Sequence, residues 1–115
     1  MKTYQDLLKK LRIFRQERNW EQFHKPKDLA MAAAIEAAEL MQEFLWQNEE
    51  EVKQKVKQNK ERYADEIADT VVYLMLLADD LGIDMYDAIE NKMAKNAKKY
   101  PVEKCRGKST KYTNL

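Results

Sequence analysis

Apolar residues recur at three- and four-residue intervals along most of this chain, and the breaks in that rhythm divide it into helices. Tyr4, Leu7, Leu8, Leu11 and Phe14 form one stripe, which predicts a first helix over 3–18. The segment Asn19-Trp20-Glu21-Gln22-Phe23-His24-Lys25-Pro26 interrupts it. Pro26 disfavours helix at Lys25, so an aromatic-bearing connection is expected there. Asp28 is a good N-cap for a second helix reaching about Gln47. Its run Met31-Ala32-Ala33-Ala34-Ile35, with Ala37 and Ala38, presents a small-residue surface. From Asn48 to Lys60 only Val52 and Val56 are aliphatic, which fits an exposed short helix or a loop.

A third helix is predicted over 61–81. Ile67, Val71, Leu74, Leu77 and Ala78 stand in helical register. Val72, Met75 and Leu76 carry the apolar surface round most of the circumference, so the stretch from Thr70 to Leu81 should be the most buried. Gly82 is a C-terminal stop and Asp84 a fresh N-cap. The fourth helix then runs from Met85 to about Lys99, with Pro101 just beyond its end. The remainder is basic and aperiodic, giving a helical domain over 1–101 and a tail over 102–115. The expected fold is all-α, a four-helix bundle protomer. A chain of 115 residues buries a modest share of its surface, so self-association is expected to complete the core.

Composition narrows the function. A net charge of +1 provides no global field to attract nucleic acid or an anionic membrane. The basic tail around Lys104 and Lys111 lacks interleaved aromatic residues before Tyr112, so nucleic acid is not the expected partner. The single cysteine, Cys105, cannot form an internal disulfide, which fits a reducing cytoplasm. No stretch approaches the ~20 apolar residues that span a bilayer, so no membrane association is expected.

Two acidic pairs carry the chemistry: Glu36-x-x-Glu39 and Glu66-x-x-Asp69. Each pair sits on one helix face, inside an otherwise apolar pattern. Glu43 continues the first stripe and Tyr73 the second, each set falling within about 60°. If the two helices pack side by side, four carboxylates converge. At ~4 Å and an effective dielectric of ~20, each pair repels by about 4 kcal/mol. A cation in the gap removes that cost. An outward face paired with Lys or Arg is the alternative, but no basic residue occurs between Lys27 and Lys53. An all-oxygen ligand set suits Mg²⁺, or Mn²⁺, whereas Zn²⁺ would be expected to recruit His or Cys. A di-iron bundle would need Glu-x-x-His pairs, and the only histidine, His24, lies in the connection.

Further residues complement such a site. Lys92, Asn96 and Lys99 share a stripe on the fourth helix, either a solvated surface or a cradle for a polyphosphate. Trp46, in the polar setting Trp46-Gln47-Asn48, either stacks on a nucleobase or anchors the core. Tyr73, within the acidic stripe, is placed to hydrogen-bond a sugar. A non-catalytic helical module that binds a basic partner through its acidic stripe is the competing class.

The spacing Glu-x-x-Glu, 26 residues, Glu-x-x-Asp resembles the all-α nucleoside triphosphate pyrophosphohydrolases of the MazG-like superfamily. The finer resemblance is to their short dCTP pyrophosphatase branch. It is carried by Glu17-Arg18-Asn19-Trp20-Glu21-Gln22-Phe23-His24, Glu36-Ala37-Ala38-Glu39-Leu40 and Trp46. Asp65-Glu66-Ile67-Ala68-Asp69, Tyr73-Leu74, the segment from Lys92 to Pro101, and Lys111-Tyr112-Thr113 extend it over nearly the whole chain. The resemblance implies Mg²⁺-dependent cleavage of an NTP between the α- and β-phosphates, with dCTP or a related deoxynucleotide as substrate. It implies that Glu36, Glu39, Glu66 and Asp69 ligate the metal. Glu39 is also the candidate base for the attacking water, although all four carboxylates could equally serve as ligands only. Lys92, Asn96 and Lys99 would hold the triphosphate, Tyr73 would approach the sugar, and Trp20 and Trp46 would line the base pocket. A homodimer, paired into a tetramer, is implied as well. Some members place a base-reading histidine on the first helix, where this chain has Lys10-Leu11-Arg12-Ile13.

Overall fold

Capping chemistry sets where each helix begins in the computed structural model, which describes residues 2–115. Thr3 accepts a hydrogen bond from the Asp6 amide at 3.1 Å and opens α1, Tyr4–Glu17. The second helix, α2, spans Pro26–Gln42 and starts earlier than expected. Pro26 is its own start signal: its fixed φ suits the first turn, where a missing N–H costs nothing. Asp28 is therefore a first-turn acid rather than the N-cap. The helix also stops short of Gln47. Residues 43–46 form turns, and Trp46 has left-handed backbone with φ 63°.

The polar segment is a helix, α3, Glu49–Gln58. A reciprocal capping box stabilises it. The Glu51 amide donates to the Asn48 side chain at 2.9 Å, and the Asn48 amide donates to the Glu51 carboxylate at 3.4 Å. Helix α4, Lys60–Asp80, ends at Gly82, which adopts φ +69°. Asp84 then accepts from the Asp87 amide at 2.9 Å to open α5, Met85–Lys99. A short helix α6, Val102–Cys105, and a 3₁₀ turn, Tyr112–Asn114, follow. No strand occurs among the described residues, and the architecture is all-α.

The chain forms two compact units, one running to Gly82 and one from Ile83 to Leu115. In the first, α4 is the hub, packing along α2 and touching α1 and α3. The pairing with α2 is antiparallel, since Glu43 at the end of α2 meets Arg62 near the start of α4 at 2.8 Å. Leu29 is the most deeply buried side chain, 1% exposed, and such burial contributes about 1.5–3 kcal/mol. Tyr63, Met75, Leu76 and Ala78 line the same core from α4. The stretch from Thr70 to Leu81 holds Met75, Leu76 and Ala78 in the core as expected, while Val71, Leu74 and Leu81 remain about half exposed. The partners α1, α2 and α3 cover only one side of α4. Met31, Ile35 and Met41 on α2 are likewise uncovered.

Two bidentate ion pairs tie α1 to the end of α4. Arg12 bonds Asp79, and Arg15 bonds Asp80 through both terminal nitrogens at 2.9 Å. In the second unit the tail is ordered locally rather than irregular. The Tyr112 ring meets Tyr100 edge-on at 6.0 Å, and Lys99 Nζ lies 4.8 Å from the Tyr112 ring centroid. The Cys105 thiol donates to the carbonyls of Tyr100 and Pro101 at 3.2 and 3.0 Å.

A Cβ added at Gly82 would meet no atom within 4 Å, so Gly82→Ala tests backbone strain alone. The expected loss is about 1–2 kcal/mol in urea unfolding with helix content unchanged by circular dichroism.

Candidate metal centre and adjoining cleft

Antiparallel packing of α2 on α4 brings the two acidic pairs together. Glu36 and Glu39 are one turn apart on α2, and Glu66 faces them from α4. One carboxylate oxygen from each lies within 4.8 Å of the others. Octahedral ligands at about 2.1 Å from Mg²⁺ are at most roughly 4.2 Å apart, so a small closure suffices to fit an ion. The set is all oxygen, which fits a hard divalent cation and gives Zn²⁺ no soft ligand.

The electrostatics bear the mark of this crowding. Glu36 is held up to about 7, first by desolvation, then by hydrogen bonding to and repulsion from Glu39, with Asp69 and Glu66 adding to the repulsion. Glu66 is also raised, chiefly by desolvation and then by the charge of Glu39. Its Oε2 is buried with no hydrogen-bond partner among the described residues. A proton shared with a neighbouring carboxyl, a water or a cation can satisfy that acceptor. A cluster of this kind can bind a metal ion.

Asp69 is not one of these three. It lies exposed one turn further along α4, near enough for its charge to raise both Glu36 and Glu66. It also lines an adjoining cleft of about 260 Å³. Phe14, Trp20, His24 and Tyr73 supply the aromatic wall of this cleft, and Leu11, Val72 and Leu76 its aliphatic floor. The rings run in series: Phe14 to Trp20 at 5.9 Å, Trp20 to His24 at 6.2 Å, and His24 to Tyr73 at 6.3 Å. Asp69 and Tyr73, one turn apart, thus join the acidic centre to the aromatic cleft.

Glu43 behaves differently from its neighbours on the α2 stripe. It is buried and paired, with Arg62 at 2.8 Å and Lys55 at 3.5 Å, so the charge-paired reading holds for Glu43 alone. The cations come from α3 and α4, which is why the empty interval from Lys27 to Lys53 gave no hint of them. Trp46 is 91% exposed, which removes it as a core anchor within the chain, and it does not line the cleft. Lys92, Asn96 and Lys99 are exposed on α5, in the second unit.

Two cleft residues escaped the reading of sequence. His24, set aside as a metal ligand, contributes a ring to the wall. Burial and the charge of Arg15 lower the pKa of its imidazole against the opposing pull of Asp80. Arg15 itself is only 8% exposed and lines the cleft. Arg15 does fall at the 3–4 spacing of Leu8 and Leu11, but its charge gives no local sign of burial.

Because the folded state favours a proton on Glu36, its stabilising share is present below about pH 4.5 and fades as pH rises through about 7. Metal-free protein should therefore lose thermal stability between about pH 5 and pH 8. Glu36→Gln in EDTA is expected to blunt that loss and to melt above the parent at the upper pH. Equal pH slopes in the two proteins would refute the crowding.

The MazG-like family model matches residues 31–115. The dCTP pyrophosphatase 1 of Rattus norvegicus is 38% identical over 115 residues, spanning 98% of this chain and 68% of that protein. The Homo sapiens protein of the same name is 36% identical over the same shares. The crystal structure of a pyrophosphatase from Archaeoglobus fulgidus matches with a TM-score of 0.80 and 40% identity, covering 84% of this chain and 91% of that one. Most of the chain, including all four carboxylates, lies inside the family match, and the protein belongs to the MazG-like family.

Proposed function

We propose that this MazG-like protein, an enzyme of the nucleoside triphosphate pyrophosphatase class, hydrolyses dCTP or closely related deoxynucleoside triphosphates between the α- and β-phosphates. The products are a nucleoside monophosphate and pyrophosphate. The observation that carries the reading is the three-carboxylate cluster, with its unsatisfied Glu66 oxygen, opening beside an aromatic cleft.

In this reading Glu36, Glu39, Glu66 and Asp69 hold Mg²⁺, with Mn²⁺ as an alternative. When bound, the ion would neutralise phosphate charge and acidify a water. Glu39, the most solvent-exposed of the three clustered acids, would orient the attacking water and accept its proton. Tyr73 meets the sugar and Trp20 the base. Lys92, Asn96 and Lys99 bind the phosphates as donors, which stabilises charge in the transition state. Such chemistry is mainly positioning and electrostatics, with no covalent step.

Self-association fits the uncovered apolar positions on α2 and α4. We assign a homodimer, paired into a tetramer, in which the projecting Trp46 ring serves a neighbouring subunit's base pocket. No helix of the described residues is long and apolar enough to cross a membrane. Removal of unwanted deoxynucleotides from the cytoplasmic pool is the corresponding role.

Glu39→Gln is expected to lower kcat by about 10²–10⁴, as for loss of a general base, with helix content intact. Asp69→Asn should be similarly inactive; Mg²⁺-dependent turnover by both variants would overturn the assignment. Pyrophosphate release from a dNTP panel should require the divalent ion, and no release from any nucleotide would leave the binding-module reading instead. Mg²⁺ at ~100 times its Kd should stabilise the fold by about 2.7 kcal/mol, read as a rise in Tm that Glu36→Gln reduces.

A further inference from the structure

The tail motif Lys111-Tyr112-Thr113 has no part in the chemistry described so far, yet the chain folds back to place it against the end of α5. The return is built after α6. Cys105 to Lys108 form a type II turn, with Arg106 at φ −57° and ψ 122° and Gly107 at φ 75°. The Lys108 amide closes it on the Cys105 carbonyl at 2.9 Å. A 3₁₀ turn over Tyr112–Asn114 then presents the Tyr112 ring, which meets Tyr100 edge-on at 6.0 Å and 78°. Such edge-to-face pairs are attractive at this separation. The Cys105 thiol, bonded to the carbonyls of Tyr100 and Pro101, steadies the base of the fold-back.

The same ring holds a cation. Lys99 Nζ lies 4.8 Å from the Tyr112 centroid, inside the ~6 Å over which an ammonium is drawn to a ring face. Within the stripe Lys92, Asn96 and Lys99, only Lys99 has such a contact among the described residues. No ion pair among those residues involves Lys92 or Lys99, so neither charge is neutralised by a carboxylate. An ammonium has three donors, and a ring on one side leaves N–H groups free to meet an acceptor on the other. A lysine stem surrenders much rotamer freedom when it fixes an anion. Restricting the stem beforehand removes part of that cost from the binding step.

We propose that Tyr112 is a positioning residue for phosphate binding: it holds the Lys99 ammonium over its ring, already ordered when a nucleotide's phosphates arrive. This rests on the reading above that Lys99 binds the triphosphate. Tyr112 acts through Lys99 and touches no substrate itself. Because an ordered cation aids the ground state and the transition state alike, its effect falls on KM and leaves kcat nearly unchanged.

The test is kcat and KM, with Mg²⁺, for the dNTP that the parent turns over fastest. Five proteins are compared: the parent, Tyr112→Phe, Tyr112→Leu, Lys99→Met, and Lys99→Met combined with Tyr112→Leu. Tyr112→Leu should raise KM about two- to fivefold, with kcat within about twofold of the parent. Tyr112→Phe keeps the ring face and should keep the parent's KM. Lys99→Met should raise KM about tenfold or more, and adding Tyr112→Leu to it should change nothing further. If Tyr112→Leu loses helix content by circular dichroism, Tyr112→Gln removes the ring and serves in its place. An unchanged KM without the ring would overturn the proposal. So would an equal rise with and without Lys99, or a Phe variant as weak as the Leu variant, since each means that Tyr112 only packs. A parental KM in Lys99→Met would remove the phosphate role of Lys99 and the proposal with it. Absence of turnover by the parent on every dNTP would instead defeat the hydrolase reading, on which both depend.

Discussion

Mutual repulsion among carboxylates that cannot move apart is the constraint on which the rest of this molecule turns. Packing α2 antiparallel on α4 buries Leu29, Tyr63 and Met75, and that apolar contact fixes how far Glu36 and Glu39 stand from Glu66. The helices cannot separate to relieve the charge without surrendering the core. Burial of the charge first, and this repulsion after it, appear in the protonation equilibrium, with Glu36 pushed to about 7 and Glu66 raised. A divalent ion relieves the same strain more completely than a proton, because it satisfies several oxygens together.

One turn of α4 links this centre to the neighbouring cleft. The i, i+3, i+4 geometry that places Glu66 on the acidic face places Asp69 at the junction and Tyr73 among the cleft rings. Across the cleft, α1 and the connection after it contribute Phe14, Arg15, Trp20 and His24. Arg12–Asp79 and Arg15–Asp80 pin α1 to the end of the same helix. Arg12 is largely exposed, so its pair contributes little stability. Arg15 is buried, and its pair matters for orientation. Thus α4 carries the structural hub, the acid cluster and one wall of the cleft.

The small size of the chain explains what the packing leaves undone. Three helices cover one side of α4, while Val71 and Leu74, with Met31 and Ile35 on α2, stay in contact with solvent. Trp46, on a left-handed turn at 91% exposure, is a large apolar ring with no place in its own chain. Such surfaces are the usual mark of an interaction face.

Periodicity and capping residues determined the helices, because those signals are local. Thr3, Gly82 and Asp84 act within one turn of themselves, and the chain ended and restarted helices at them. Pro26 displaced Asp28 as the start of α2 because a proline tolerates the first turn, a preference that the cap assignment overrode. The acidic pairs were legible too, since charges spaced three apart in an apolar stripe have few uses other than a cation. What the sequence could not decide was partnership across helices. Glu43 shares a stripe with Glu36 and Glu39, yet only the fold shows that Arg62 and Lys55 neutralise the first and spare the others. Likewise Arg15 and His24 look like ordinary polar residues until α1 and α4 close round them. Local hydrogen bonds are written residue by residue along the chain, whereas burial and ion pairing depend on which distant segments come to share one volume.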